Sequence, residues 1–329
     1  MLRAFPNHFV YNSVYAHYPF TTSSETKVIL EKLDQADLYS WEQPTPKKEL
    51  VIIKSYKAIT QILDNQKDFK VTWGDAIRYL VSQPGKPFGG DFCLAGDEAA
   101  NTHNRAVVKK GLYPTAWEKE IWNFYAEVVP KLFEKYSYPT SGTGSGHEAD
   151  IVRDIINLAN ARLNAALFSL PIKTEESPRG IFTEQELYML LTVLFSAIFF
   201  DGDIANSFKL RNAARELAGQ LGQIVLLNCQ AVATSGAIAD VVSKLETGGG
   251  ARLKDYGVHL IKRLVEKGKS VEEVCWTTVM PLITSNVANQ SQVLSQCLDY
   301  YIGDGAEHLP ELYRLAHENT PEADELLMH

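Results

Sequence analysis

The sequence predicts a mainly α-helical protein, and three observations support this. About ten segments have the length and the end signals of helices, and only one short segment resembles a strand. The third is the run from Val274 to Leu298, which contains no Asp, Glu, Lys or Arg. As a helix, that run would be roughly 37 Å long, enough to cross a whole domain.

The N-terminal part of the chain is predicted to form an extended arm, followed by short helices and one strand. Residues 1–25 are rich in aromatic residues and turn formers, and we expect an extended arm lying over a body formed by residues 26–329. Within that body, residues 26–38 are predicted to be helical and ELVIIK at 49–54 is the strand candidate. A helix begun by Ser55 is predicted to follow.

The rest of the chain alternates helices with short connections. SYPTSGTGSG at 137–146 is a flexible insertion by composition. Thr183 and Glu186 have the spacing of a capping box, which predicts a helix start there. The predicted helices are 97–112, 117–136, 149–169, the apolar segment after Thr183, 207–228, 236–245, 255–267, 309–318 and 321–329.

The uncharged run is predicted to be the central helix. Ser270 and Glu273 form a second S-x-x-E capping box at its start, and Pro281 is expected to kink it. Four amides lie at spacings of 3, 3 and 4 and therefore share one face within about 120°. They are Asn286, Asn289, Gln292 and Gln296.

This amide face admits two interpretations. A surface helix is the ordinary one, but solvated helix faces usually carry Lys and Glu. A face of amides with no charged residue suits a buried polar cavity better. Buried amides need hydrogen-bond partners, and they therefore tend to lie where they orient a bound group. We therefore expect the amide face to line an enclosed pocket.

Composition excludes several classes of function. The net charge of -8 argues against a nucleic-acid-binding surface. The four cysteines are widely spaced without a CxxC, which makes a disulfide framework or a zinc site unlikely and favours a reducing, cytoplasmic location. The longest apolar run, Leu187 to Phe200, is shorter than the roughly 20 residues of a membrane span. The histidines show no metal-ligand spacing, so no metal ligand is predicted.

Several stretches together resemble the C-terminal cytochrome P-450-like domain of fungal fatty-acid oxygenases, the family of linoleate diol synthases and psi-factor-producing oxygenases. They are YNSVYAHYPFTT (11–22), FKVTWGDAIRYL (69–80), LAGDEAANTHNR (94–105), FSLPIKTEESPRGIFTEQELYM (168–189) and VANQSQVLSQ (287–296). The resemblance implies a P-450-like fold and a heme cofactor. It also implies isomerisation of a fatty-acid hydroperoxide to a diol, with the hydroperoxide supplied by an N-terminal heme-peroxidase-like dioxygenase domain.

The resemblance also assigns residues. Ala288-Asn289-Gln290-Ser291-Gln292 matches the family motif Ala-Asn-x-x-Gln, so Asn289 and Gln292 would assist heterolysis of the hydroperoxide. Amide donors can stabilise the negative charge that develops as the O–O bond breaks. The alternative is a hydrogen-bonded core pair. A P-450 monooxygenase usually needs an acid–alcohol pair in this helix, and no acid is present.

A second pair is implied in the helix at 97–112. Many P-450s bind the heme propionates with a His and an Arg four residues apart. In this chain Asn101 replaces the His, while Arg105 matches and has the forked donors that suit a carboxylate. The alternative for Arg105 is a solvated helix charge.

One departure from the family pattern is serious. A heme-thiolate enzyme needs a Cys loop near its C-terminus, preceded by a Glu-x-x-Arg helix, and the sequence ends at His329 before either is expected. Glu311 and Arg314 have the Glu-x-x-Arg spacing, but they follow the predicted central helix too closely to be that motif. The axial Cys is thus absent, the P-450-like fold is expected to be C-terminally incomplete, and structural packing is predicted for all four cysteines: Cys93, Cys229, Cys275 and Cys297.

Three functional hypotheses follow. The first is a hydroperoxide isomerase (diol synthase) domain. The second is a heme-free truncated or degenerate module with a binding or structural role. The third is a P-450-type monooxygenase, which the missing acid disfavours.

Overall fold

The computed structural model describes most of the chain beyond residue 54. The described residues are 55–65, 68–69, 74–81, 98–113, 117–140, 146–175, 177–200, 207–234, 253–318, 320 and 322–323. Of these, 82% are helical, so the predicted mainly-α class is confirmed. Four predicted features lie outside the described residues, namely the arm at 1–25, the strand at 49–54 and the helices at 26–38 and 236–245. Of the helix predicted at 321–329, only residues 322–323 are described.

The described part of the chain consists of α-helices and a few shorter elements. The α-helices are α1 (Tyr56–Asp64), α2 (Gly74–Val81), α3 (Glu98–Leu112), α4 (Trp117–Tyr136), α5 (Asn157–Phe168), α6 (Glu184–Phe199), α7 (Phe208–Thr234), α8 (Leu253–Glu266), α9 (Val271–Val274), α10 (Met280–Ile302) and α11 (Leu309–Glu318). The other elements are the strands β1 (Tyr138–Pro139) and β2 (His147–Glu148), the π-helical turns Ile151–Ile156 and Cys275–Val279, and the 3-10 turn Ala306–His308.

The predicted helix starts are formed by the side chains that the sequence indicated. Thr183 and Glu186 make both hydrogen bonds of a capping box before α6. The Ser270 hydroxyl accepts from the Glu273 backbone N–H at 3.1 Å, but the Glu273 carboxylate binds the Lys269 ammonium instead of closing the second box. The predicted reciprocal cap at Ser270 is therefore only half formed.

The ends of the predicted insertion are held together. Strands β1 and β2 pair in antiparallel register, with Tyr138 opposite Glu148 and Pro139 opposite His147. The Thr140 backbone N–H donates to the Gly146 carbonyl at 3.0 Å. Residues 141–145 lie outside the described residues, so flexibility of the insertion stays a prediction.

Helix α5 lies at the centre of the described fold. Ten of its twelve residues are buried, and it packs against α4, α6, α8 and α10. Such all-round burial is possible because α5 is built mainly of Ala, Leu and Asn, with Arg162 as its single charge. The sequence analysis placed the 270–302 segment at the centre, whereas the structure places that segment beside α5.

The 270–302 segment is continuous but not uniform. The π-helical turn Cys275–Val279 separates α9 from α10, and Pro281 lies in the first turn of α10. The residue without an N–H thus falls where the backbone bonding changes from the π to the α pattern. The half of α10 that begins at Met280 is mostly buried, and Ser291 is its last buried residue.

Helix α6 forms the apolar wall beside α10. It contains most of the long apolar run of the sequence, and Leu187, Leu191 and Leu194 are almost completely buried. Its principal neighbours are α10, α7 and α5. None of the helices described is both long enough and apolar enough to cross a membrane.

Candidate functional site

The amide face of α10 is open rather than enclosed. Asn289 and Gln296 are exposed, while Asn286 and Gln292 are half-buried. The expectation that these side chains line an enclosed cavity is thus not met by the described residues. Enclosure would require a ligand or a further part of the polypeptide to cover this face.

The opposite side of α10 is joined to the core by a buried hydrogen-bond network. The Asn160 Nδ2 on α5 donates to the Ser291 Oγ at 2.9 Å. The Tyr125 hydroxyl on α4 donates to the Asn160 Oδ1 at 2.5 Å. Asn160 is 0% exposed and Ser291 is 1% exposed, so three helices meet at one carboxamide that has no contact with water.

Tyr125 is a stable donor in this network. Burial raises the pKa of its phenol to about 12, because the phenolate would lose hydration. The hydroxyl therefore keeps its proton at physiological pH, and the Asn160 oxygen keeps its donor. The network is a fixed polar contact and not a titrating one.

Two further asparagines extend the polar side of α5. Asn157 and Asn164 are buried, and each has an Oδ1 atom without a hydrogen-bond partner in the described structure. Their spacing of three and four from Asn160 places them on the same helix face. The sequence analysis missed this face, although three asparagines at helical spacing in a stretch with little charge were visible as a signal.

Asn101 and Arg105 are joined to each other. The Arg105 Nε donates to the Asn101 Oδ1 at 2.9 Å, while Asn101 is buried and Arg105 is exposed. This bond directs the guanidinium along the surface of α3. Helix α3 packs mainly on α8, whereas α10 packs mainly on α5 and α6, so the structure does not bring this pair into the amide face.

Structural packing was predicted for all four cysteines, and it holds for Cys229 and Cys275 but not for Cys297. Cys229 and Cys275 are buried free thiols, and Cys297 is an exposed one on α10. The hydrogen bond with Cys229 and the burial of the site raise the pKa of the Cys275 thiol, which keeps it protonated. Cys93 lies outside the described residues.

The described residues include one cation that suits a heme carboxylate and no cluster of metal ligands. Arg105, oriented by Asn101, suits a propionate carboxylate. Within the described part of the chain, no group of three or more His, Cys, Asp or Glu side chains could hold a metal ion. The Glu311–Arg314 pair is an exposed ion pair on α11, with the Arg314 Nε 2.9 Å from the Glu311 Oε2.

Comparison with known proteins identifies relatives that are about three times as long as this chain. The chain is 47% identical over 329 residues to psi-producing oxygenase A of Aspergillus fumigatus and covers 30% of its length. It is 40% identical over 370 residues to 7,8-linoleate diol synthase of Pyricularia oryzae and covers 32% of that protein. In each case the match covers 99% or more of this chain.

A third relative has a different named activity. The chain is 39% identical over 329 residues to a bifunctional dioxygenase–epoxy alcohol synthase of Fusarium oxysporum, and it covers 25% of that protein. The chain therefore spans about a third or less of the length of these curated relatives. No family model and no solved structure matches it.

Proposed function

Because the chain is a homologue of the C-terminal part of the fungal fatty-acid oxygenases, we propose that it forms the fatty-acid hydroperoxide isomerase (diol synthase) domain of an oxylipin-forming enzyme. The observation that carries this proposal is the match to linoleate diol synthases over almost the whole chain. A P-450-like arrangement of the helices and a cytoplasmic location are part of the same proposal. The free thiols at Cys229, Cys275 and Cys297 support the second of these.

Asn289 and Gln292 are proposed to act on the peroxide. The Asn289 Nδ2 and the Gln292 Nε2 would donate to the oxygen that gains negative charge as the O–O bond of the hydroperoxide breaks. Neither amide changes its protonation, and no carboxylate lies between Val274 and Leu298 to repel that charge. In an isomerisation, both peroxide oxygens remain in the product as two hydroxyl groups, so no external reductant is consumed.

Heme is the cofactor of this proposal, because the resemblance of the sequence to a P-450-like domain implies it. It would supply the redox centre for cleavage of the O–O bond. Asn101 and Arg105 would hold a propionate through the exposed guanidinium. An N-terminal heme-peroxidase-like dioxygenase domain, as the source of the hydroperoxide, is the proposed partner.

The test begins with cofactor binding. Hemin is added to the purified chain, and a Soret band is expected if the described helices form part of a heme site. A fatty-acid hydroperoxide is then supplied, and the dihydroxy product is measured. If no Soret band appears, the proposal that this chain catalyses the reaction is refuted.

The roles of the amides are tested by single substitutions. Asn289→Ala and Gln292→Ala should each slow turnover by about 100-fold, the usual cost of losing one donor to a developing anion. Gln296→Ala is the matched control, since this exposed amide shares the face but lies outside the Ala-Asn-x-x-Gln motif. Equal turnover rates for all three variants would refute the catalytic roles of Asn289 and Gln292.

The second candidate function is a heme-free binding or structural module. The observations that favour it are the exposed Asn289 and the protonated, buried Cys275. A folded chain that binds no heme but binds a fatty acid would support this candidate. A requirement for O₂ and a reductant would instead indicate a P-450-type monooxygenase.

A further inference from the structure

Asn160 makes two side-chain hydrogen bonds to other helices, which a residue that only fills space would not need. It connects α4 to α10 through a donor and an acceptor that are separated from it by 35 and 131 residues. The Ser291 bond is buried and the Tyr125 bond is partly buried, and in such surroundings an apolar side chain facing apolar partners would be about equally stable. Asn157 and Asn164, on the same face, carry unpaired oxygens and therefore add a cost.

The position of Ser291 links this network to the amide face. Successive residues of a helix are rotated by about 100° around its axis. With Ser291 turned towards α5, Gln292 lies about 100° to one side, and Asn289 lies on nearly the opposite side, about 160° away. The observed burial agrees, because Ser291 is buried, Gln292 is half-buried and Asn289 is exposed.

We infer that Asn160 is a positioning residue, which together with Tyr125 and Ser291 fixes the rotation of α10 and so aims the Asn289 and Gln292 amides. This inference rests on the proposed function of those two amides. The directional bond to Ser291 favours one angle of rotation, in addition to the packing of the apolar side chains around α10. A rotation of about 20° would move a side-chain tip, 5–6 Å from the axis, by about 2 Å.

A displacement of this size matters for chemistry. Misplacement of a catalytic group by about 1 Å can cost about 100-fold in rate. The effect should be visible in the product, because a displaced donor changes how the cleaved peroxide reacts further. The diol to epoxy alcohol ratio is a suitable measure, since it does not depend on the amount of folded enzyme.

The activity test compares two buried hydroxyls of α10. Ser291→Ala removes the acceptor of Asn160, and in the heme-loaded protein it should change the diol to epoxy alcohol ratio by about tenfold. Thr284→Val is the matched control, because this buried hydroxyl donates only within α10, to the Met280 carbonyl at 2.9 Å. Its product ratio should equal that of the wild type. Ser291→Thr keeps a hydroxyl and should restore the ratio.

A second measurement does not need heme or turnover. Nitroxide labels are attached at Asn123→Cys on α4 and Asn289→Cys on α10, two exposed positions. The cysteines outside the buried Cys229 and Cys275 are first replaced by serine, namely Cys93 and Cys297. The distance between the labels then reports the rotation of α10 relative to α4.

The label distance separates the possible outcomes. Ser291→Ala or Tyr125→Phe should shift the distance by about 2 Å or broaden its distribution, while Thr284→Val should leave it unchanged. A shift in a protein whose wild type turns over no hydroperoxide would support the positioning of α10 and refute the proposed function. An unchanged distance in both Ser291→Ala and Tyr125→Phe would overturn the positioning role, whatever the activity.

Discussion

The buried carboxylate of Glu184 is predicted to stabilise the junction of three helices. Glu184 is the first residue of α6 and is 2% exposed. Its Oε1 accepts from the Arg162 Nε at 2.9 Å, and its Oε2 accepts from the Lys135 Nζ at 3.2 Å and the Tyr136 hydroxyl at 3.1 Å. The carboxylate thus connects α4, α5 and α6.

Glu184→Gln would remove the negative charge while keeping the size of the side chain. Its main effect is on Arg162, which is only 10% exposed and would lose its counter-ion. Removing one partner of a buried ion pair costs about 3–5 kcal/mol. Lys135 is 38% exposed and adds little, so about 3 kcal/mol is the expected loss in the free energy of unfolding.

The loss can be measured by thermal unfolding. An unfolding entropy of about 2 cal/mol/K per residue gives about 0.7 kcal/mol/K for a cooperative chain of this length, so Tm should fall by about 4 °C. Glu127→Gln is the matched control, because Glu127 is 69% exposed and pairs with Lys131 on the surface of α4. That pair should contribute less than about 1 kcal/mol.

The pH dependence provides a second check on Glu184. Burial alone would raise the pKa of its carboxyl, but the hydrogen bonds and charges of Arg162 and Lys135 outweigh burial and lower the pKa below 4.5. A carboxyl with a lowered pKa stabilises the fold fully above its ordinary value and loses this contribution as pH falls through the lowered one. The difference in stability between wild type and Glu184→Gln should therefore narrow below pH 4.5. Equal Tm values for Glu184→Gln and Glu127→Gln at neutral pH would refute this reasoning.

Three further outcomes are expected. Gly257→Ala should destabilise the chain, although alanine favours helices by about 1 kcal/mol, because its Cβ would lie 1.8 Å from the Leu167 carbonyl oxygen; a higher Tm would contradict this. Tyr125→Phe and wild type should give the same phenolate absorbance until about pH 11 and differ near pH 12, as a spectrophotometric titration would show. Cys297→Ser should remove one thiol that reacts with a maleimide in the folded protein, and Cys275→Ser should remove none; loss of a reactive thiol in the second variant would contradict its burial.

Local signals predicted the helices well. Ser55 begins α1, Thr183 and Glu186 begin α6, and Leu309–Glu318 is helical as expected. These features depend on residues only a few positions apart, and the sequence displays them directly. The helix predicted at 207–228 continues to Thr234, since no Gly or Pro lies between Asn228 and Gly236.

Longer-range features could not be predicted. The bond between Asn160 and Ser291 spans 131 residues, and no periodic pattern in either helix identifies its partner. The amide face of α10 was correctly assigned to one side of a helix, but the absence of charge could not decide between a closed cavity and an open surface. Helix α2 was not predicted, because it has only eight residues and begins at a glycine, which is a poor helix former.

The π-helical turn at Cys275–Val279 takes up one extra residue between α9 and α10. Such a turn contains one more residue between bonded partners than an α turn does. Because that residue is taken up within the turn, its deletion would leave an uninterrupted α-helix whose later side chains keep nearly the same direction around the axis. A related sequence that lost one residue at this place would therefore still present its equivalents of Asn289 and Gln292 on the same face.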